Sequence, residues 1–209
     1  MKNIITIIVS GNNDKVLYNT LKEHYAQVEW IDIILYADYN NENESDIYIL
    51  VGDDIGEDNK PNGIVIDLSD SILVNMTDEY NDMSTIRKQL IDGIAAPLYK
   101  DILIGLDYTD IKSVIQDSDD IKASVINTKS TSDFNGLVDK LIAKANVNVN
   151  ISDRKNVYFY VEGDIALMEV NELAKGLEER MGNGSNIAFT ASYDSEKTGE
   201  YYVMVLFGI

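Results

Sequence analysis

Two carboxylates three residues apart, Asp107 and Asp110, stand where an apolar run gives way to a helical pattern, in the stretch DILIGLDYTDIKSVI at 101–115. Ile102, Leu103 and Ile104 lead to Gly105-Leu106, and the helical pattern runs from Ile111 through Val114 and Ile115. One reading is a helix start, with Asp107 as N-cap and Asp110 near the third helical position, where the helix dipole favours negative charge. The other is chemical: the same carboxylates point outward and polarise a water on a partner's phosphate. Capping and presentation are compatible for Asp110, less so for Asp107.

Composition narrows what else the chain can do. With 209 residues there is room for one large or two small domains and a proper core. The 17 basic residues against 36 acidic ones give a net charge of -19, spread over both halves. Such a surface repels nucleic acid and anionic lipid, so neither is expected as a partner. Cysteine is absent, which removes disulfides and thiolate metal sites. The single histidine, His24, late in a helical pattern, argues against zinc and against a catalytic triad; no metal is expected. The opening MKNIITIIVSG reads as a strand, too short for a signal peptide or membrane span, so a cytoplasmic location is expected.

The elements that would carry these residues follow from periodicity. Ile4–Val9 reads as a buried parallel strand, followed by a loop, Asp14 as N-cap, and a helix with Val16, Leu17, Leu21 and Tyr25 on one face. Strands are expected at 28–36, 46–51, 64–68 and 71–75. The linker Gly52–Gly63 is acidic, lacks helical periodicity, and does not match a calcium loop; it reads as solvated. A helix opening at Ser84 carries Ile86, Leu90, Ile91, Ile94, Ala95 and Leu98 on one face, with Pro97 in its last turn or at a kink. The second half alternates: strand 123–128, an Asp133-capped helix (Phe134, Leu137, Val138, Leu141, Ile142 inward), strand 156–161, and a helix with Leu167, Val170, Leu173, Ala174, Leu177 and Met181 inward, stopped by Gly182. Strands 187–193 and 201–207 close the chain, joined in hairpin fashion by 194–200. Tyr158, Tyr160, Tyr201 and Tyr202 on these strands read as core and sheet packing. The fold class is α/β: a shortened Rossmann-like domain (1–80), a connecting helix (81–100), and a mixed four-stranded sheet with packed helices (101–209).

The order of these elements resembles the bacterial tubulin homologue FtsZ, best over residues 84–209. Gly105-Leu106-Asp107-Tyr108-Thr109-Asp110-Ile111 is similar to the family's N-L-D-F-A-D-V segment after its long central helix. NVYFYVEGDIALMEVNELAKGL (156–177) resembles its strand, glycine turn and L-x-E-V-x-E-A helix, and NIAFTASYDSEKTGEYYVMVLFGI (186–209) its closing hairpin and final strand. In that family the N-terminal domain binds GTP through glycine-rich loops, above all G-G-G-T-G. The equivalent strand end here reads Val51-Gly52-Asp53-Asp54, with no such signature. Carboxylates facing a triphosphate are the wrong chemistry, so GTP binding is not expected, nor any other cofactor.

The resemblance further implies that Asp107 and Asp110 belong to the segment that reaches a neighbouring subunit's GTP and orients the attacking water, with Gly105 replacing the family's Asn. The expected function is that of a non-enzymatic interaction protein, with an interface at Gly105, Leu106, Asp107, Tyr108 and Asp110, which caps or modulates filaments of an FtsZ- or tubulin-like partner, or assembles with itself. One alternative is an activator that supplies Asp107 and Asp110 in trans to a partner's GTP hydrolysis. Another is a nucleotide-independent structural or small-ligand-binding module.

Overall fold

Short Ile/Val-rich runs that are apolar at almost every position can satisfy both their side chains and their backbone only in the middle of a sheet covered on both faces. The computed structural model places two such runs there. It describes residues 3–10, 15–40, 44–52, 55, 60–77, 82–104, 108–116, 118, 120–129, 133–147, 156–182, 184–194 and 196–209. The chain is α/β and divides into two units, Met1–Arg87 and Lys88–Ile209.

In the first unit β1 (Asn3–Val9), β2 (Ile31–Leu35), β3 (Ser45–Val51) and β4 (Ile64–Leu68) form a parallel sheet in the order β2-β1-β3-β4. β1 and β3 are buried on both faces: Ile5, Ile7, Val9, Ile47, Ile49 and Val51 on one, Thr6, Ile8, Tyr48 and Leu50 on the other. Ile8, Tyr48 and Leu50 pack with Ile34, Tyr36, Tyr39, Ile55 and Val65. Helix α1 (Lys15–His24) buries Leu21, and Tyr25 just beyond it is buried too.

Several expectations are corrected here. Val16 is 79% exposed. Leu17, Leu21 and Tyr25 form the i, i+4, i+8 stripe, and Val16 stands a full residue's rotation off it. Residues 28–30 are a turn rather than strand: Val28 N donates to Tyr25 O at 2.9 Å, and β2 starts at Ile31. Tyr36 lies in a 3-10 turn, Tyr36–Asp38. The expected strand at 71–75 is helical, α2 (Asp70–Leu73) followed by the 3-10 turn Val74–Met76. Asp67 Oδ1 accepts from Ser69 N at 2.9 Å, and Ser69 O accepts from Ile72 N and Leu73 N. A short apolar run cannot by periodicity be told from a helical turn; the Ser69-Asp70 start decides it. Asp14 and most of the acidic linker lie outside the described residues.

Helix α3 (Met83–Ala95) runs across the boundary between the units; it opens at Met83, one residue before Ser84, and Asp82 caps it, Asp82 Oδ1 accepting from Thr85 N at 2.7 Å. A 3-10 turn, Ala96–Leu98, follows, with Pro97 at its start, where a missing N–H is tolerated.

The second unit is built on β5 (Ile121–Lys129), β6 (Asn156–Gly163), β7 (Asn186–Tyr193) and β8 (Glu200–Gly208), in the order β5-β8-β6-β7. β8 is antiparallel to both its neighbours, and β7 is parallel to β6. Val157, Phe159, Val161, Val203, Val205 and Phe207 share a core with α5 (Phe134–Ala145) and α6 (Leu167–Met181). Phe159 stacks on Phe189 at 5.1 Å. The opposite face carries Tyr158, Tyr160, Tyr202 and Met204, all buried as the sequence implies. The end of α3 closes this face: Tyr158 OH donates to Gly93 O at 3.2 Å. A Cβ on Gly93 would lie 2.6 Å from the Met204 methyl, so glycine there permits the close approach. Helix α4 (Tyr108–Ile115) buries Ile111, Val114 and Ile115 and packs on β6 and β7.

Asp133 caps α5 as expected, accepting from Gly136 N at 2.9 Å, and Gly182 (φ 91°) ends α6. Leu167 is instead half exposed, because as the first residue of α6 it precedes the turn that meets the core at Val170 and Leu173. The last two strands are no hairpin: β6 lies between them, and the connecting turn crosses its end through Asp194 N to Gly163 O (3.3 Å) and Asp164 N to Glu200 O (3.0 Å). Since β7 runs parallel to β6, the returning chain can pair antiparallel with the far edge of β6. No helix among the described residues is long and apolar enough to cross a membrane.

The crossing depends on Gly163, which holds φ 139° and leaves no room for a Cβ against the Glu200 carbonyl and Tyr201. Gly163→Ala is expected to lower the unfolding free energy by about 2–3 kcal/mol, measured by urea denaturation.

Candidate functional site

The strand order of the first sheet reverses at β1 and β3, and the crevice beyond the C-terminal ends of such strands is where doubly wound folds hold ligands. Ser10 and Gly52 stand there side by side: Ser10 N donates to Val51 O at 2.8 Å, and Gly52 has φ 96°. Residues 11–14 and 53–54, which continue from these strand ends, lie outside the described residues.

In the second unit, the segment Asp101–Ile115 divides as its sequence does. Leu103 N and Ile104 N donate to Ala191 O at 2.8 and 3.3 Å, and Ala191 N donates to Ile104 O at 3.0 Å, so the apolar run pairs briefly with the outer edge of β7. Gly105, Leu106 and Asp107 lie outside the described residues. Tyr108 opens α4 half buried, and Asp110 falls at the third helical position, exposed, where the unsatisfied N–H groups of the first turn favour a carboxylate. Ser113 Oγ donates to the Asp110 carbonyl at 2.8 Å. Asp110, Ser113 and Val114 of α4 line a groove of about 250 Å³ with Ile104 and residues 186–189 of β7. Of the five residues expected at the interface, the structure thus places Tyr108 and Asp110 on the first turn of one helix, beside an apolar groove.

A second cluster was not anticipated. Tyr158, Tyr160 and Glu162 alternate along β6, which puts a carboxylate on the aromatic face of the sheet. Glu162 Oε2 accepts hydrogen bonds from Lys100 Nζ, from Tyr160 OH at 2.7 Å and from Tyr202 OH at 3.3 Å, while Oε1 accepts from Lys197 Nζ at 3.2 Å. Lys100 lies 5.7 Å from the centres of the Tyr99 and Tyr160 rings, and Lys197 4.9 Å from that of Tyr202. Only 12% of the Glu162 side chain is exposed. Burial pushes its carboxyl up, but the hydrogen bonds from Lys100 and Tyr160 and the charges of Lys100 and Lys197 outweigh that and hold it at about 2. Burial, and then the bond to Glu162, pushes the Tyr160 phenol far above its ordinary value. A carboxylate pinned ionised and a phenol pinned protonated make poor proton-transfer partners near neutrality. The cluster therefore ties Lys100, just past α3, to β6 and to the turn before β8. Its signal was present in the sequence NVYFYVEG, where the period of two continues through the glutamate.

No family model matches the chain. Among solved structures it is similar to an empty FtsZ dimer of M. jannaschii, at 11% identity and a TM-score of 0.68, over 99% of this chain and 88% of that one. A point mutant of M. jannaschii FtsZ is similar at 13% identity and a TM-score of 0.66, over 100% of this chain and 91% of that one. The fold is FtsZ-like. The likeness takes in residues 1–80 as well, further than the segments that resemble the family in sequence.

Because the folded carboxyl of Glu162 sits at about 2 against an ordinary 4.5, its contribution to stability is complete above about pH 5 and is lost as pH falls through 4.5 toward 2. Glu162→Gln is expected to destabilise the protein by about 1–3 kcal/mol at pH 6, screening by the partly exposed lysines moderating the loss. The deficit relative to the unsubstituted chain should shrink at pH 3, as read from urea unfolding at the two pH values.

Proposed function

We propose that this chain is an interaction protein with an FtsZ-like fold, one that docks on filaments of an FtsZ- or tubulin-like partner and caps or modulates them without hydrolysing GTP itself. The observation that carries this reading is the exposure of large apolar side chains at one end of the second unit. Leu103 is 50% exposed, Tyr193 57%, Leu167 53% and Met168 76%. Leu103 pairs with Ala191, two residues before Tyr193; Tyr193 lies opposite Gly163 at the end of β6; and α6 opens with Leu167 and Met168 soon after. Four large exposed apolar side chains on neighbouring segments of a chain of net charge -19 are what a surface with a partner would present. Leu103 also leads directly into the 105–110 segment, the one that resembles the family's inter-subunit segment.

The sequence supports the other half of the reading. Where the family has a glycine-rich phosphate loop, β3 is followed by Gly52-Asp53-Asp54, so a filament ending on this subunit would offer no nucleotide to the next. A second reading is favoured by the exposed Asp110 in the first turn of α4: acting with Asp107, it would orient water on GTP bound by the partner. Stimulated GTP turnover that is lost in Asp110→Asn, with docking retained, distinguishes activation from passive capping.

Sedimentation of a GTP-bound FtsZ from the same cell tests docking. The chain is expected to alter the amount or turnover of pelleted polymer, and Met168→Lys with Tyr193→Lys is expected to weaken that effect about tenfold or more, since two charges are placed at an apolar contact. Unchanged polymer with the unsubstituted chain would contradict the proposal.

A further inference from the structure

Asparagine followed by glycine is the pair at which a protein chain most readily attacks itself, because glycine has no side chain to keep its backbone nitrogen from the asparagine side-chain carbonyl. The chain has three such pairs, Asn62-Gly63, Asn135-Gly136 and Asn183-Gly184. Asn183 lies outside the described residues. The other two pairs are held in opposite ways. Asn135-Gly136 lies in the first turn of α5, where Gly136 N is engaged as a donor to Asp133 Oδ1 at 2.9 Å. Asn62-Gly63 lies immediately before β4, outside any helix or strand, and both residues are exposed. Gly63 holds φ 147°, backbone that favours glycine.

We propose that Asn62-Gly63 is a site of spontaneous modification, at which the chain converts to isoaspartate and loosens β4. Deprotonated Gly63 N attacks the carbonyl carbon of the Asn62 side chain. The new N–C bond closes a succinimide ring, the bond to the side-chain nitrogen breaks, and that nitrogen leaves as ammonia. Water then opens the ring at either carbonyl, giving aspartate or isoaspartate, with no change of oxidation state. Isoaspartate carries the main chain through the side-chain methylene, so the backbone is lengthened at this point and a carboxylate is added. The space it would need is already filled: a Cβ on Gly63 would lie 3.2 Å from Tyr48 Cε2, and that ring is buried with Ile8 and Leu50. Directly beyond the turn, Ile64 pairs with Ile47, Ile66 with Ile49 and Leu68 with Val51. β4 ends the sheet order, so a displaced lead-in acts on its pairing with β3. The site lies in the first unit and uses none of the side chains assigned to docking, so it stands or falls independently of the proposed function.

Ageing of the full chain at mildly alkaline pH, followed by peptide mapping that separates isoaspartate from aspartate, tests the proposal. Asn62 is expected to convert about tenfold faster than Asn135 or more, since conversion at Asn135 first requires the start of α5 to open. In the aged chain the amides of β4 are expected to exchange with solvent about tenfold faster than in fresh protein. Asn62→Gln, whose longer side chain must close a larger and slower-forming ring, is expected to keep the exchange of fresh protein through the same ageing. An Asn62 that stays intact, an Asn62 that converts no faster than Asn135, or unchanged β4 exchange in a chain fully converted at Asn62 would each overturn the proposal.

Discussion

β8, formed by the last residues of the sequence, lies in the middle of the second sheet, and the organisation of that unit depends on it. It pairs with β5 along Glu200–Gly208 and with β6 along Tyr201–Gly208, and every residue from Tyr201 to Gly208 is buried. Without it, β5 and the β6–β7 pair share no partner, and the α5–α6 layer loses Val203, Val205 and Phe207 from its core. The return that brings β8 there is narrow: Gly163 allows the Glu200 carbonyl to pass, and Asp164 and Asp194 bond across the end of β6.

The same return sets the chemistry beside it. β8 brings Tyr202, and the preceding turn brings Lys197, to Glu162, where Lys100 completes the set. Three elements distant in sequence are thereby held by one carboxylate whose hydrogen bonds are made within the protein. A buried ion pair of this kind specifies position more than it adds stability, since desolvation offsets much of the attraction. The consequence for function is indirect: Lys100 precedes Asp101–Ile104, and those residues set where Leu103 is exposed and where α4 can begin.

Much of the fold was legible because the governing signals are local. The Ile/Val runs of β1 and β3, the stripes of α3, α5 and α6, the Asp133 cap and the Gly182 stop each depend on side chains within a few residues. What the sequence withheld depends on neighbours. Strand adjacency is decided by long-range pairing, so two consecutive strands with a turn between them read as a hairpin until β6 is seen to lie between them. Residues 71–75 carry an apolar run too short to show a period, and Val16 and Leu167 belong to first turns, where the pattern alone does not say how far the core extends. At the site, Asp110 fell at the helical position its spacing implied. Glu162 was passed over because a glutamate before a glycine reads as a strand end, although the alternation through Tyr158 and Tyr160 carried it into the sheet.

We propose that an FtsZ-like scaffold here lacks the family's grip on a triphosphate: β1 and β3 end side by side at Ser10 and Gly52, and the sequence continues with Asp53 and Asp54 in place of a glycine-rich signature. Equilibrium binding of GTP to the purified chain, with magnesium present, tests this most directly. No saturable binding at micromolar nucleotide is expected, whereas a micromolar dissociation constant would contradict it.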